Sequence, residues 1–94
     1  MPKPINIGIS PMIENFIPYP QQVAEPILIT PAELEAFRLV DQIGLSQEEA
    51  GQRMGVSRGT VWRLLQSARK KTAQALCEGR PIKIEQSSTD HIQK

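Results

Sequence analysis

The sequence predicts a mainly α fold: a three-helix domain with short flanking β-strands, preceded by a proline-rich extended arm. Three observations carry that expectation. Seven of the eight prolines lie in the first 31 residues, where they exclude a long helix and favour extended or turn conformations. A capping box occurs twice, as Thr30-Pro31-Ala32-Glu33 and Ser46-Gln47-Glu48-Glu49, and marks two helix starts. Gly44, Gly55 and Gly79 each stand where a helical pattern runs out.

Residues 1–26 form the arm. Ile5, Ile7 and Ile9 alternate with Asn6 and Gly8, a period-two pattern that predicts a short strand with one buried face. Met12, Ile13, Phe16, Ile17 and Tyr19 are too apolar to stay free in water, so the arm is expected to pack on the body or on a second chain. The domain proper, 27–85, opens with the β-branched run Ile27-Leu28-Ile29. In the first helix, Pro31 suits the first helical position, and Leu34, Phe37, Leu39, Val40 and Ile43 make a broad apolar face that ends near Gly44. The second helix starts after Ser46 and stops at Gly55. Ser57 caps a third helix, whose stripe of Val61, Leu64, Leu65, Ala68, Ala75 and Leu76 continues to Gly79. From Arg58 to Cys77 it is long enough to span about 30 Å. Ile82-Lys83-Ile84-Glu85 then reads as a strand. A two-stranded ribbon is marginal alone, so these strands need helix packing, the Ile5–Ile9 segment, or a ladder with another subunit. A homodimer with strands in the contact is the expectation. Residues 86–94 are polar and read as a mobile tail, in which His91 is a solvated residue.

The stretch from Gln47 to Gln66, QEEAGQRMGVSRGTVWRLLQ, is the most constrained. Small residues at Ala50 and Gly51 allow two helices to touch, and Gly55 sits where a turn needs a positive φ. Met54, Val56, Val61 and Leu64 close a small core between them. This is a helix-turn-helix pattern, which presents its second helix to the major groove of DNA.

Charge sharpens that reading. The chain has a net charge of +1, but residues 1–50 hold Lys3 and Arg38 against seven acidic side chains, whereas nine basic residues from Gly51 onward oppose only Glu78, Glu85 and Asp90. Arg53, Arg58, Arg63, Arg69, Lys70 and Lys71 follow one another without an intervening carboxylate. Such a field suits a polyanion.

With Val61, Leu64, Leu65 and Ala68 turned inward, Arg58, Gly59, Trp62, Arg63, Gln66, Arg69 and Lys70 are left for the outward surfaces. The Ser57 and Thr60 hydroxyls and the free amides of the first turn suit phosphate oxygens. Arg63 is the leading base reader, because its planar fork bonds guanine bidentately, and Gln66 is the counterpart for adenine. Arg58 fits either task. Arg53, Arg69, Lys70 and Lys71 fit backbone neutralisation. Trp62 either presses on sugar or a thymine methyl or packs against the arm or a partner.

The run ELEAFRLVDQIGLSQEEAGQRMGVSRGTVWRLLQSARKK, Glu33 to Lys71, resembles the small prokaryotic proteins grouped as domain of unknown function 134. The likeness extends more weakly over 27–85. It implies a helix-turn-helix similar to region four of bacterial sigma factors and DNA binding through Ser57, Arg58, Thr60 and Arg63, with no regulon implied. Relatives commonly carry several Lys or Arg residues at the amino terminus, where this arm has Lys3 alone.

Other classes fit less well. A 94-residue chain allows one small domain, with oligomerisation as a source of further stability. No Ser/His/Asp or Cys/His set, glycine-rich phosphate loop or metal spacing appears, which argues against an enzyme, a cofactor or a metal. The single Cys77 implies a reducing cytoplasm and is expected to be a small buried apolar residue. No membrane-length apolar run or signal peptide is present. The rival to DNA binding is a protein-interaction module docking on RNA polymerase or a sigma or anti-sigma partner, with Glu33, Glu35 and Asp41 of the first helix as its surface.

Overall fold

The computed structural model describes residues 5–8 and 14–86. Its elements, in chain order, are β1 (Asn15–Phe16), β2 (Ile27–Ile29), α1 (Pro31–Phe37), a π-helical segment (Arg38–Gln42), α2 (Gln47–Met54), α3 (Arg58–Glu78) and β3 (Ile82–Ile84). The mainly α architecture with short flanking strands is the one the sequence predicts.

Each helix begins where its capping chemistry lies. Thr30 Oγ1 accepts the Glu33 amide at 3.1 Å and Ser46 Oγ accepts the Glu49 amide at 3.0 Å, with both glutamates returning a bond to the cap amide. Such caps satisfy donors that a helix start otherwise leaves unpaired. Gly55 at φ +74° and Gly79 at φ +64° end α2 and α3 in the left-handed region, where a side chain would be strained. The first helix differs from its expected single run. After Phe37 it widens to π geometry, with the Ile43 amide donating to the Arg38 carbonyl at 2.8 Å, and Ile43 is left half-exposed instead of joining the apolar face.

Ala36, Leu39, Ala50, Met54 and Val61 form a fully buried cluster, against which Ile5, Val40, Leu45, Val56 and Leu64 pack. Leu65, Ala68 and Ala75 extend the seam along α3. Two expectations for this helix are corrected: Leu76 is 76% exposed and Cys77 is exposed. Both lie in its last turn.

The sheet has the order β1-β3-β2, with β2 and β3 parallel and β1 antiparallel to β3. Ile27 pairs with Ile82, Leu28 with Lys83 and Ile29 with Ile84, so that Ile27, Ile29 and Ile84 are buried and Leu28 faces out. All three strands thus come from one chain, with β1 and β2 as the edges of the sheet. Its third strand is Asn15–Phe16, whereas Ile5–Gly8, expected as a strand, has none; the expectation at Ile9 lies outside the described residues, as do those for Met12, Ile13 and His91. What segment 5–8 does is tie down the helices. The Asn6 amide donates to the Met54 carbonyl at 2.8 Å, its side-chain amide to the Arg53 carbonyl at 3.3 Å, and the Gly8 amide to Glu35 Oε2 at 2.7 Å. Isolated residues of the arm therefore pack on the body by polar bonds, the Ile5 side chain adding an apolar contact.

Candidate nucleic-acid interface

α2 and α3 approach closely because Gly51 has no side chain. A Cβ there would stand 2.7 Å from the Val56 carbonyl oxygen, closer than real Cβ atoms come to backbone. With Ala50, Met54 and Val61 buried beneath the crossing, α3 is held with its first turns projecting. Glu48, Gly51, Gln52, Val56, Ser57 and Arg58 line an open groove between the two helices.

Ser57 starts α3, its Oγ accepting the Thr60 amide at 3.2 Å. Arg58, Gly59, Trp62, Arg63, Gln66 and Lys70 are all exposed, and Thr60 is half-buried. Trp62 is 52% exposed. Arg53 leaves the end of α2 toward solvent. The structure therefore brings Ser57 through Gln66 together on one end of α3, with Lys70 a turn further on.

Arg69 and Lys71 are placed differently. The Arg69 guanidinium makes a bidentate pair with Asp41, Nε to Oδ2 at 3.0 Å and Nη2 to Oδ1 at 2.8 Å, and its hydrogen bonds hold the Asp41 carboxyl below the usual range. Lys71 Nζ reaches Glu33 Oε1 at 2.9 Å. Both cations are thus engaged by carboxylates of the first helical stretch. Among the described residues, Arg53, Arg58, Arg63 and Lys70 make no ion pair.

The same bonds remodel the acidic face of the first helix. Glu33 is 7% exposed and Glu35 2%, so neither forms the outward docking surface expected of them. Burial alone would raise the Glu33 pKa, but hydrogen bonds from the Ser67 hydroxyl, the Thr30 amide and Lys71 outweigh it and lower the value. Glu35 instead grips Arg38, with Nε and Nη2 both at 3.0 Å, and the Gly8 amide. Gln52 is the residue that sequence reasoning missed. It is exposed beside the groove, and its spacing of four from Glu48, on the side of α2 opposite Ala50 and Met54, was the available signal. Among the described residues, no group of three His, Cys, Asp or Glu side chains is placed to hold a metal ion, and no helix is long and apolar enough to cross a membrane.

Fold and surface together define a small helix-turn-helix domain whose second motif helix is exposed and basic at its leading end. The chain belongs to the family described as protein of unknown function DUF134, whose model matches residues 2–91 and so takes in the arm. It is 59% identical over 81 residues to a UPF0251 protein of Thermococcus kodakarensis, covering 83% of this chain and 72% of that one. A UPF0251 protein of Pyrococcus abyssi is 57% identical over 81 residues, covering 83% and 74%. One from Thermoanaerobacter pseudethanolicus is 40% identical over 90 residues, covering 90% and 76%. No solved structure matches the chain.

Proposed function

We propose that this protein binds double-stranded DNA sequence-specifically and acts in the cytoplasm as a transcriptional regulator, with the leading turns of α3 in the major groove. The observation that carries this reading is the set of cations Arg53, Arg58, Arg63 and Lys70, which make no ion pair among the described residues and gather around a helix that Gly51 and Gly55 allow to project. Arg63 and Gln66 read base edges, Arg58 reads a base or grips a phosphate, and Trp62 meets sugar or a thymine methyl. Ser57, Gly59 and Thr60 bring the first turn against the backbone. Arg53 and Lys70 neutralise phosphates.

The protein acts as a homodimer. The contact is assigned to the exposed apolar side chains Phe16, Ile17 and Leu76, which share one groove with Ile82 beside the β1 edge of the sheet. Two copies joined there read half-sites about one helical turn apart.

Selection of bound fragments from random duplex DNA at two salt concentrations tests the reading. Enrichment of a two-fold-related motif is expected, with log affinity falling against log salt by about 0.9 for every phosphate contact. Recovery of no common motif at either salt concentration, or affinity insensitive to salt, would overturn it.

A further inference from the structure

Ser57, Thr60 and Arg63 are spaced by three on the exposed start of α3, and their polar ends are joined. Arg63 Nη2 donates to Thr60 Oγ1 at 3.3 Å, and Thr60 Oγ1 lies 3.1 Å from Ser57 Oγ. Ser57 Oγ already accepts the Thr60 amide. Thr60 Oγ1 thus accepts from Arg63 and shares a second hydrogen bond with Ser57 Oγ, in which either hydroxyl can donate.

We propose that Thr60 is a positioning residue, whose hydroxyl holds the Arg63 guanidinium in the orientation that reads a base pair. This inference rests on the DNA-binding reading above. It gives Thr60 a task distinct from direct phosphate contact. An arginine side chain free in solvent samples many rotamers, and fixing them on binding costs affinity that a prior hydrogen bond reduces. One Nη2 hydrogen is engaged by Thr60, and the remaining donors of the fork stay available for guanine O6 and N7. Threonine in a helix divides between two χ1 rotamers, and the bond to Ser57 favours the one whose oxygen meets Arg63.

The test compares Thr60→Val, which keeps the shape without the hydroxyl, with Thr60→Ser, which keeps the hydroxyl. In the free protein, 15N relaxation at Arg63 Nε should report a more mobile side chain in Thr60→Val than in wild type, with order restored in Thr60→Ser. On DNA, Thr60→Val should lose about tenfold of the preference for the selected duplex over one altered at the base pair Arg63 reads. In an Arg63→Ala background the same substitution should change that preference by less than about twofold, since nothing remains to be positioned. Equal Arg63 mobility in wild type and Thr60→Val, or a preference kept by Thr60→Val, would overturn the positioning role. If wild type prefers no duplex, the DNA reading itself falls, a result the free-protein relaxation distinguishes from the first.

Discussion

Lys70 stands between Arg69 and Lys71 in the chain, yet it shares neither neighbour's environment. The helical period explains the difference. From Ala68, which faces the core, Lys71 lies about 60° around one side of α3, Arg69 about 100° around the other, and Lys70 about 160° away. Arg69 and Lys71 therefore flank the first helical stretch and find Asp41 and Glu33, whereas Lys70 meets solvent. A basic run read along the sequence thus divides into two populations. One, with Arg53, Arg58 and Arg63, makes no ion pair among the described residues. The other fastens α3 to the body, and its contribution to an external field is cancelled by its own carboxylate.

The most damaging way to break this division is to unseat α3 altogether. Leu65 is fully buried midway between the exposed leading turns and the Arg69 and Lys71 clasps. Leu65→Ala should lower unfolding stability by about 2–5 kcal/mol, read from urea denaturation, because the cavity left by a core leucine closes only in part. A loss below about 1 kcal/mol would mean that the clasps, not the apolar seam, seat the helix.

A finer cut compares single cations. Arg63→Ala should cost about 1–3 kcal/mol of binding to the selected duplex and relax preference at one base pair. Lys70→Ala should weaken all duplexes alike and make the salt slope shallower by about 0.9. Arg69→Ala should leave the slope unchanged and reduce stability far less than Leu65→Ala does, since its pair with Asp41 is partly exposed. Equal changes in slope for Lys70→Ala and Arg69→Ala would erase the distinction between the two populations.

Local signals in the sequence proved sufficient for the helices. The capping boxes at Thr30 and Ser46 and the glycines at 55 and 79 act over a few residues, and the structure places helix ends at each. The burial of Val61, Leu65 and Ala68 follows from period alone. Long-range partners were not legible in this way. Nothing local indicates that Glu33 meets Ser67 and Lys71, 34 and 38 residues later, so an acidic helix face reads as an outward docking surface when two of its carboxylates are buried. The arm fails for a related reason. Alternating isoleucines suit a strand, but backbone donors go where acceptors are, and those of Asn6 and Gly8 find the end of α2 and Glu35 before any sheet edge. Phe16 reads as apolar and not as a strand, because a two-residue ladder on β3 has no periodicity to reveal it.

The gentlest probe of the clasp is pH. The Glu33 carboxyl is held below its ordinary value of 4.5, because the Ser67 hydroxyl, the Thr30 amide and Lys71 together favour the charged form more than burial opposes it. A carboxylate whose folded pKa is lowered binds fewer protons in the folded state than in the unfolded one through that interval. Its contribution to stability is therefore complete above the unfolded value and is lost as pH falls through the folded one. Urea midpoints of the wild type should hold level above about pH 6 and decline below pH 4.5, with Asp41, lowered by Arg69, adding to the slope. Glu33→Gln keeps one acceptor oxygen for the Thr30 amide and Lys71, turns an amide N–H toward the Ser67 oxygen, and cannot titrate. Its stability should be lower than wild type at neutral pH, and the two curves should converge as the acid limb is descended. Parallel curves would show that the buried carboxylate of α1 acts as a neutral hydrogen-bond acceptor, and that Lys71 is not held by charge.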